Sequence, residues 1–135
     1  MFNLEKLDTI TAKNLNPQVL AFVGDGVYSL FIRQRLVLEK GSKCRDLHNE
    51  TTKYVKAGGQ SNFINKLLPI FTETELAVFK RARNYKTASQ AKNASVIDYR
   101  RATGLEAVLG YLYLIGDKDR LNEILEMSVG EDYED

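Results

Sequence analysis

The sequence predicts an all-α domain, and three observations carry that reading. Apolar residues recur at helical spacing, with almost no alternating strand pattern. Capping residues and glycine or proline stops divide the chain into helix-sized pieces. The longest apolar stretches, around residues 17–40 and 99–114, are both long enough to cross a small core. At 135 residues and 44% hydrophobic content the chain suits one compact domain over 1–135, with no internal repeat.

Residues 1–15 read as a short leader packing through Phe2, Leu4, Leu7 and Ile10. A long helix follows from Asn16 to Lys40: Asn16 is a good N-cap, Pro17 takes the first helical position and Gly41 stops it. Val19, Leu20, Phe22, Val23, Val27, Leu30, Phe31, Val37 and Leu38 cover most of its circumference, so the spacing places it centrally. Ser42 can cap a second helix through about Lys56, with Leu47, Tyr54 and Val55 as contacts, broken by Gly58–Gly59. A short helix over Gln60 to Leu68 presents Phe63, Ile64, Leu67 and Leu68 and stops at Pro69. Thr72 and Glu75 form a T-x-x-E capping box that opens a helix to about Asn84. The polar connection Tyr85–Asp98 follows, then a helix from about Tyr99 to Leu114. Asp117 opens the last helix, with Leu121, Ile124, Leu125 and Met127 on one face, and residues 131–135 form an acidic, frayed tail.

Composition excludes several classes. Net charge is +1, so any surface for a polyanion must be local. The single cysteine, Cys44, permits no intramolecular disulfide, and nothing nearby marks an activated thiol. The one histidine, His48, sits in a polar setting suited to capping or packing. There is no phosphate-cradling Gly-rich loop, zinc-ligand spacing or Ser/His/Asp arrangement. The N-terminus lacks a signal-peptide core, and no uncharged apolar run reaches the about 18 residues of a membrane span, so a cytoplasmic protein with no membrane partner is expected.

Chemistry concentrates at two carboxylates. Asp25 lies in the apolar run of the long helix between Gly24 and Gly26, each glycine costing up to ~1 kcal/mol relative to alanine. Two readings stay open from this stretch: a position kept for chemistry, or a solvated Asp beside glycines that serve close helix packing. Glu106 stands in a similar apolar helix, two residues after Gly104. If these helices pack together the acids meet, and the repulsion of two internal carboxylates is resolved by a hard divalent cation or by separate pairing with arginines. Such a cation can activate water and neutralise a phosphate. Lys80, Arg81, Arg83, Lys86, Lys92, Arg100 and Arg101 run into the second helix against the single acid Asp98. Amide and hydroxyl side chains lie between them. This patch suits a phosphate backbone, or is a solvated face.

The stretch LAFVGDGVYSLFIR resembles the signature helix of ribonuclease III domains, and ATGLEAVLGYLYL resembles that family's second catalytic helix. FKRARNYKT, YRRATG, the short length and the missing double-stranded-RNA-binding domain resemble the Mini-ribonuclease III subgroup. The resemblance covers almost the whole chain. It implies a ribonuclease III endonuclease fold, with Asp25 and Glu106 as catalytic, metal-holding carboxylates. It also implies Mg²⁺ as cofactor, with Mn²⁺ as a substitute. Hydrolysis of double-stranded RNA to 5′-phosphate and 3′-hydroxyl ends follows, in maturation of precursor 23S ribosomal RNA, with a ribosomal protein as a further candidate partner. Phe22 matches the signature-helix aromatic at the family's dimer interface, which implies a homodimer.

The match has two departures. The acid four positions before the signature Asp is here Ala21, and the acid three before the second Glu is here Thr103. Thr103 could hold a metal-bound water through its hydroxyl. These departures are what would suit an alternative, a non-catalytic RNA-binding or ribosome-assembly factor on a degenerate ribonuclease III fold. A third reading, a metal-dependent nucleotide phosphohydrolase, shares the acids but leaves the long basic segment without a purpose.

Overall fold

A computed structural model describes residues 5–40, 60–85 and 95–128. The helices are α1 (Thr9–Lys13), α2 (Pro17–Lys40), α3 (Ser61–Leu67), α4 (Glu73–Arg83), α5 (Ser95–Leu114) and α6 (Lys118–Met127). The described residues contain no strand. The expected helix from Ser42 to Lys56, Gly41, Cys44, His48, Phe2, Leu4, Lys86, Lys92 and the acidic tail lie outside the described residues. No described helix is long and apolar enough to cross a membrane.

Helix starts follow the capping chemistry. Asn16 Oδ1 accepts from the Gln18 amide at 2.8 Å, capping α2. The capping box forms at α4: Glu75 N–H donates to Thr72 Oγ1 at 3.1 Å, and Thr72 N–H donates to Glu75 Oε1 at 2.9 Å. Asp117 caps α6 by accepting from the Arg120 amide at 3.1 Å. Asp8 caps α1 in the same way, accepting from Thr11 N–H at 2.7 Å.

The most extensive packing in the fold is between α2 and α5, with α4 laid against α5. Leu20, Val27, Tyr28, Ile32 and Leu36 of α2 meet Leu105, Val108, Leu109 and Leu112 of α5 in the buried core. Two glycines permit this. A Cβ on Gly24 would lie 1.7 Å from the Glu106 carbonyl oxygen, and one on Gly110 would lie 2.0 Å from the Leu20 carbonyl oxygen. The helices therefore cross backbone against backbone, closer than any side chain allows.

The structure corrects three expectations and adds to a fourth. The apolar circumference of α2 is not all core: Phe22 is 80% exposed, and Val19, Leu30, Val37 and Leu38 are exposed as well. A 24-residue helix that lies along one neighbour buries one stripe and leaves the opposite apolar stripe outside. Within the leader, Leu7 packs half-buried on the core and its N–H donates to the Leu114 carbonyl, but Ile10 points outward. Helix α5 begins a turn before Tyr99, so the polar connection is shorter than its composition suggested; Asp98 sits in that first turn, where a carboxylate suits the helix dipole. Glu75 does more than close the capping box. It is 3% exposed and binds Arg120, whose Nε donates to Oε2 at 2.8 Å and whose second nitrogen donates to Oε1 at 2.7 Å. Burial alone would raise the Glu75 carboxyl, but Arg120 and the Thr72 amide hold it below its ordinary value.

Candidate active site

The α2–α5 crossing builds the site. Gly24 brings the α2 backbone onto the Glu106 turn, and Asp25, the next residue, reaches the Glu106 side chain with a hydrogen bond. The pair opens on a cleft of about 360 Å³. Helix α2 lines it with Gln18, Ala21, Phe22 and Asp25, α5 with Tyr99, Arg100, Thr103 and Glu106, and the end of α4 with Ala82 and Tyr85.

Neither acid is sealed in the core, as the apolar runs had suggested. Asp25 is exposed and Glu106 half-buried, because the two side chains meet at the open edge of the crossing. Partial burial raises the Glu106 carboxyl from 4.5 to about 8, and the hydrogen bond and charge of Asp25 push it the same way. At neutral pH Glu106 therefore keeps its proton and donates it to Asp25.

A carboxyl held protonated at neutral pH beside a second acid would release its proton to a hard divalent cation, and the pair fits one. The rest of the cleft adds oxygen donors, the Gln18 amide and the Thr103 hydroxyl among them. No group of three or more His, Cys, Asp or Glu capable of holding a metal occurs among the described residues. Ala21 offers no ligand. Thr103 Oγ1 donates to the Tyr99 carbonyl at 3.0 Å, which spends its proton and leaves the oxygen only able to accept.

The basic residues divide by what they touch. Arg100 lines the acid cleft. Together with Arg83 and Arg101 it also lines a neighbouring cleft floored by Leu68, Phe79 and Ile97. Arg83 lies over the Phe79 ring at 5.7 Å, and Arg101 donates to Asn65 and the Ser61 carbonyl. Lys80 is exposed on α4. Arg81 departs from the expectation: its guanidinium donates to the Lys13 and Leu15 carbonyls at 2.8 and 2.9 Å, tying α4 to the end of α1. A charge tally cannot foresee this, because the carbonyls it binds lie 66 and 68 residues earlier.

Three polar cleft residues, Gln18, Tyr85 and Tyr99, escaped the sequence reading. Gln18 is seven positions before Asp25, two helical turns along the same face, and that spacing could have found it. Tyr99 carries the same signal, seven positions before Glu106 on α5. Tyr85 carries none; tertiary packing alone brings it here.

Residues 18–117 match the family model of the ribonuclease III domain. The chain is 47% identical over 118 residues to the Mini-ribonuclease 3 of Clostridium tetani, covering 87% of this chain and 78% of that one. It is 46% identical over 127 residues to the Mini-ribonuclease 3 of a Thermoanaerobacter species, covering 94% and 89%. Its fold is similar to the crystal structure of protein FN1578 from Fusobacterium nucleatum, with a TM-score of 0.77 at 28% identity over 88% of this chain and 95% of that one.

Proposed function

The chain belongs to the ribonuclease III family of endoribonucleases, in its Mini-ribonuclease 3 branch, and on that premise we propose that it cleaves double-stranded RNA as a Mg²⁺-dependent homodimer. The observation that carries the proposal is the hydrogen-bonded meeting of Asp25 and Glu106 in an open cleft beside Arg100. A pair kept at this electrostatic cost, when either acid could be an amide, favours chemistry over plain RNA binding.

Asp25 and Glu106 are the residues that would hold Mg²⁺, or Mn²⁺ in its place. When bound, the ion supplies activation of water and neutralisation of charge on the scissile phosphate. Glu106 must give up its proton for both carboxylates to serve, and Asp25 is already open to solvent. Arg100 supplies fixed positive charge beside the acids. Lys80, Arg83, Arg101, Lys86 and Lys92 extend the phosphate grip along the duplex, where shape and 2′-hydroxyls dominate recognition. The products are 5′-phosphate and 3′-hydroxyl ends. Residues 1–135 act as one catalytic domain in the cytoplasm.

The exposed apolar stripe on α2 supports the dimer. Val19, Phe22, Leu30 and Val37 share that side of the helix, and a Cβ on Gly26 would meet nothing within 4 Å. A glycine with open space around it weakens the helix unless another chain comes close. Phe22 would sit in the contact, so two clefts would face one duplex and each would cut one strand.

The natural substrate we propose is precursor 23S ribosomal RNA, with a ribosomal protein as a candidate helper. Incubating the protein with a precursor transcript and mapping the ends tests this. Defined cuts in a paired stem, with 5′-phosphates, support it. Cutting of generic duplexes while the precursor stays intact would remove the assignment to 23S maturation. Ala21 and Thr103 favour the alternative of a non-catalytic RNA binder, since they leave two carboxylates fewer than full-length relatives carry. Binding of the precursor without any cut would turn the reading to that alternative.

A further inference from the structure

We propose that Tyr85 is a substrate-positioning hydrogen-bond donor, its phenol proton directed to an oxygen of the RNA backbone by Asn16. The inference rests on the endoribonuclease reading above and deepens it. Asn16 makes two contacts: Oδ1 accepts from Gln18 N–H at 2.8 Å, and Nδ2 lies 3.2 Å from the Tyr85 hydroxyl. A backbone N–H only donates, so the side-chain atom facing it must be the oxygen, and the cap fixes which way the amide points. The atom facing Tyr85 is then the amide nitrogen, which also only donates. The phenol oxygen must accept, and its own proton must go elsewhere. Among the described residues no acceptor takes it.

Elsewhere is the cleft. Tyr85 lines the same cavity as Asp25, Glu106 and Arg100. Its backbone is anchored at the end of α4, where its N–H donates to the Ala82 carbonyl at 3.2 Å. A neutral donor held in place next to the acids suits a phosphate oxygen or a ribose 2′-oxygen, both of which accept. It adds no charge, so it orients the backbone without strengthening nonspecific attraction. The cap of α2 thus orients Asn16, Asn16 orients the phenol, and the phenol meets the RNA.

Two variants of the full chain test this on a defined RNA duplex with Mg²⁺. Tyr85→Phe keeps the ring and removes the proton. Asn16→Asp keeps the helix cap but replaces the donor with a carboxylate, which captures the phenol proton. Both should raise KM about three- to ten-fold with little change in kcat, the scale of one neutral hydrogen bond. The melting temperature of Asn16→Asp should not fall, which separates positioning from mere structural support. Repeating the series on duplexes with single 2′-deoxy substitutions identifies the acceptor. If one substitution abolishes the difference between wild type and Tyr85→Phe, the acceptor is a 2′-oxygen; if the difference survives every substitution, it is a phosphate. Wild-type KM in Tyr85→Phe would overturn the assignment, as would wild-type KM in Asn16→Asp. If wild type itself fails to cut any duplex, the endoribonuclease reading falls and takes this assignment with it.

Discussion

Asp25 and Glu106 share one hydrogen bond across the α2–α5 crossing, and burial of Glu106, reinforced by that contact, raises its carboxyl to about 8. A carboxyl whose folded value lies above its unfolded one binds its proton more tightly when folded. Stability is then full below the unfolded value and falls as pH rises through the window from 4.5 to about 8. Metal-free Glu106→Gln has no such proton to lose. Thermal melts between pH 4.5 and 8.5 should show a shallower decline for Glu106→Gln than for wild type, and wild type should recover stability at pH 8 when Mg²⁺ is added. Parallel declines would mean the pair is not coupled in solution.

The crossing itself is tested at Gly24. A methyl there would lie 1.7 Å from the Glu106 carbonyl oxygen, with no flexible side chain to give way. Gly24→Ala should cost about 3 kcal/mol or more in denaturant unfolding, and Gly110→Ala a similar amount. Mild effects would show that α2 and α5 are further apart than described.

Phe22→Ala addresses the outer stripe of α2. With the ring 80% exposed in one chain, its removal should leave the fold intact. Sedimentation should shift from dimer towards monomer. An unchanged dimer would place the contact on another surface.

Arg81 and Arg100 should behave differently although both were expected to grip phosphate. Arg81→Ala breaks two bonds to backbone carbonyls and should lower stability by about 1–2 kcal/mol, leaving the salt dependence of RNA binding unchanged. Arg100→Ala should make the slope of log affinity against log salt shallower by about 1. Equal slopes in both variants would remove Arg100 from the RNA-binding surface.

The site was legible in the sequence where its chemistry conflicts with local preference. Asp25 between two glycines, and Glu106 within an apolar helix, stand out because neither helix propensity nor burial explains them. The T-x-x-E box at Thr72 was legible because capping is decided within four residues. The role of Gly24 was legible only as room for a close neighbour. That the neighbour is the Glu106 turn, with Gly110 making the reciprocal approach, depends on where two distant helices cross. The same limit hid the Glu75–Arg120 pair, the anchoring of Arg81 and the arrival of Tyr85 in the cleft. Each joins residues far apart in the chain, and neither spacing nor composition encodes such a meeting. Val19, Leu30, Val37 and Leu38 read as central because periodicity reports an apolar face without saying whether the same chain or another one covers it; only Phe22 was expected at a contact between chains.

The proposed reaction needs Asp25, Glu106 and Mg²⁺ together. The most direct measurement is cleavage of a long double-stranded RNA by wild type and Asp25→Asn, each with Mg²⁺ and with EDTA, after both proteins are shown to be folded and to bind the duplex. Wild type should cut in Mg²⁺ alone, and Asp25→Asn in neither condition. Cutting by a folded Asp25→Asn at the wild-type rate, or wild-type cutting that persists in EDTA, would contradict it.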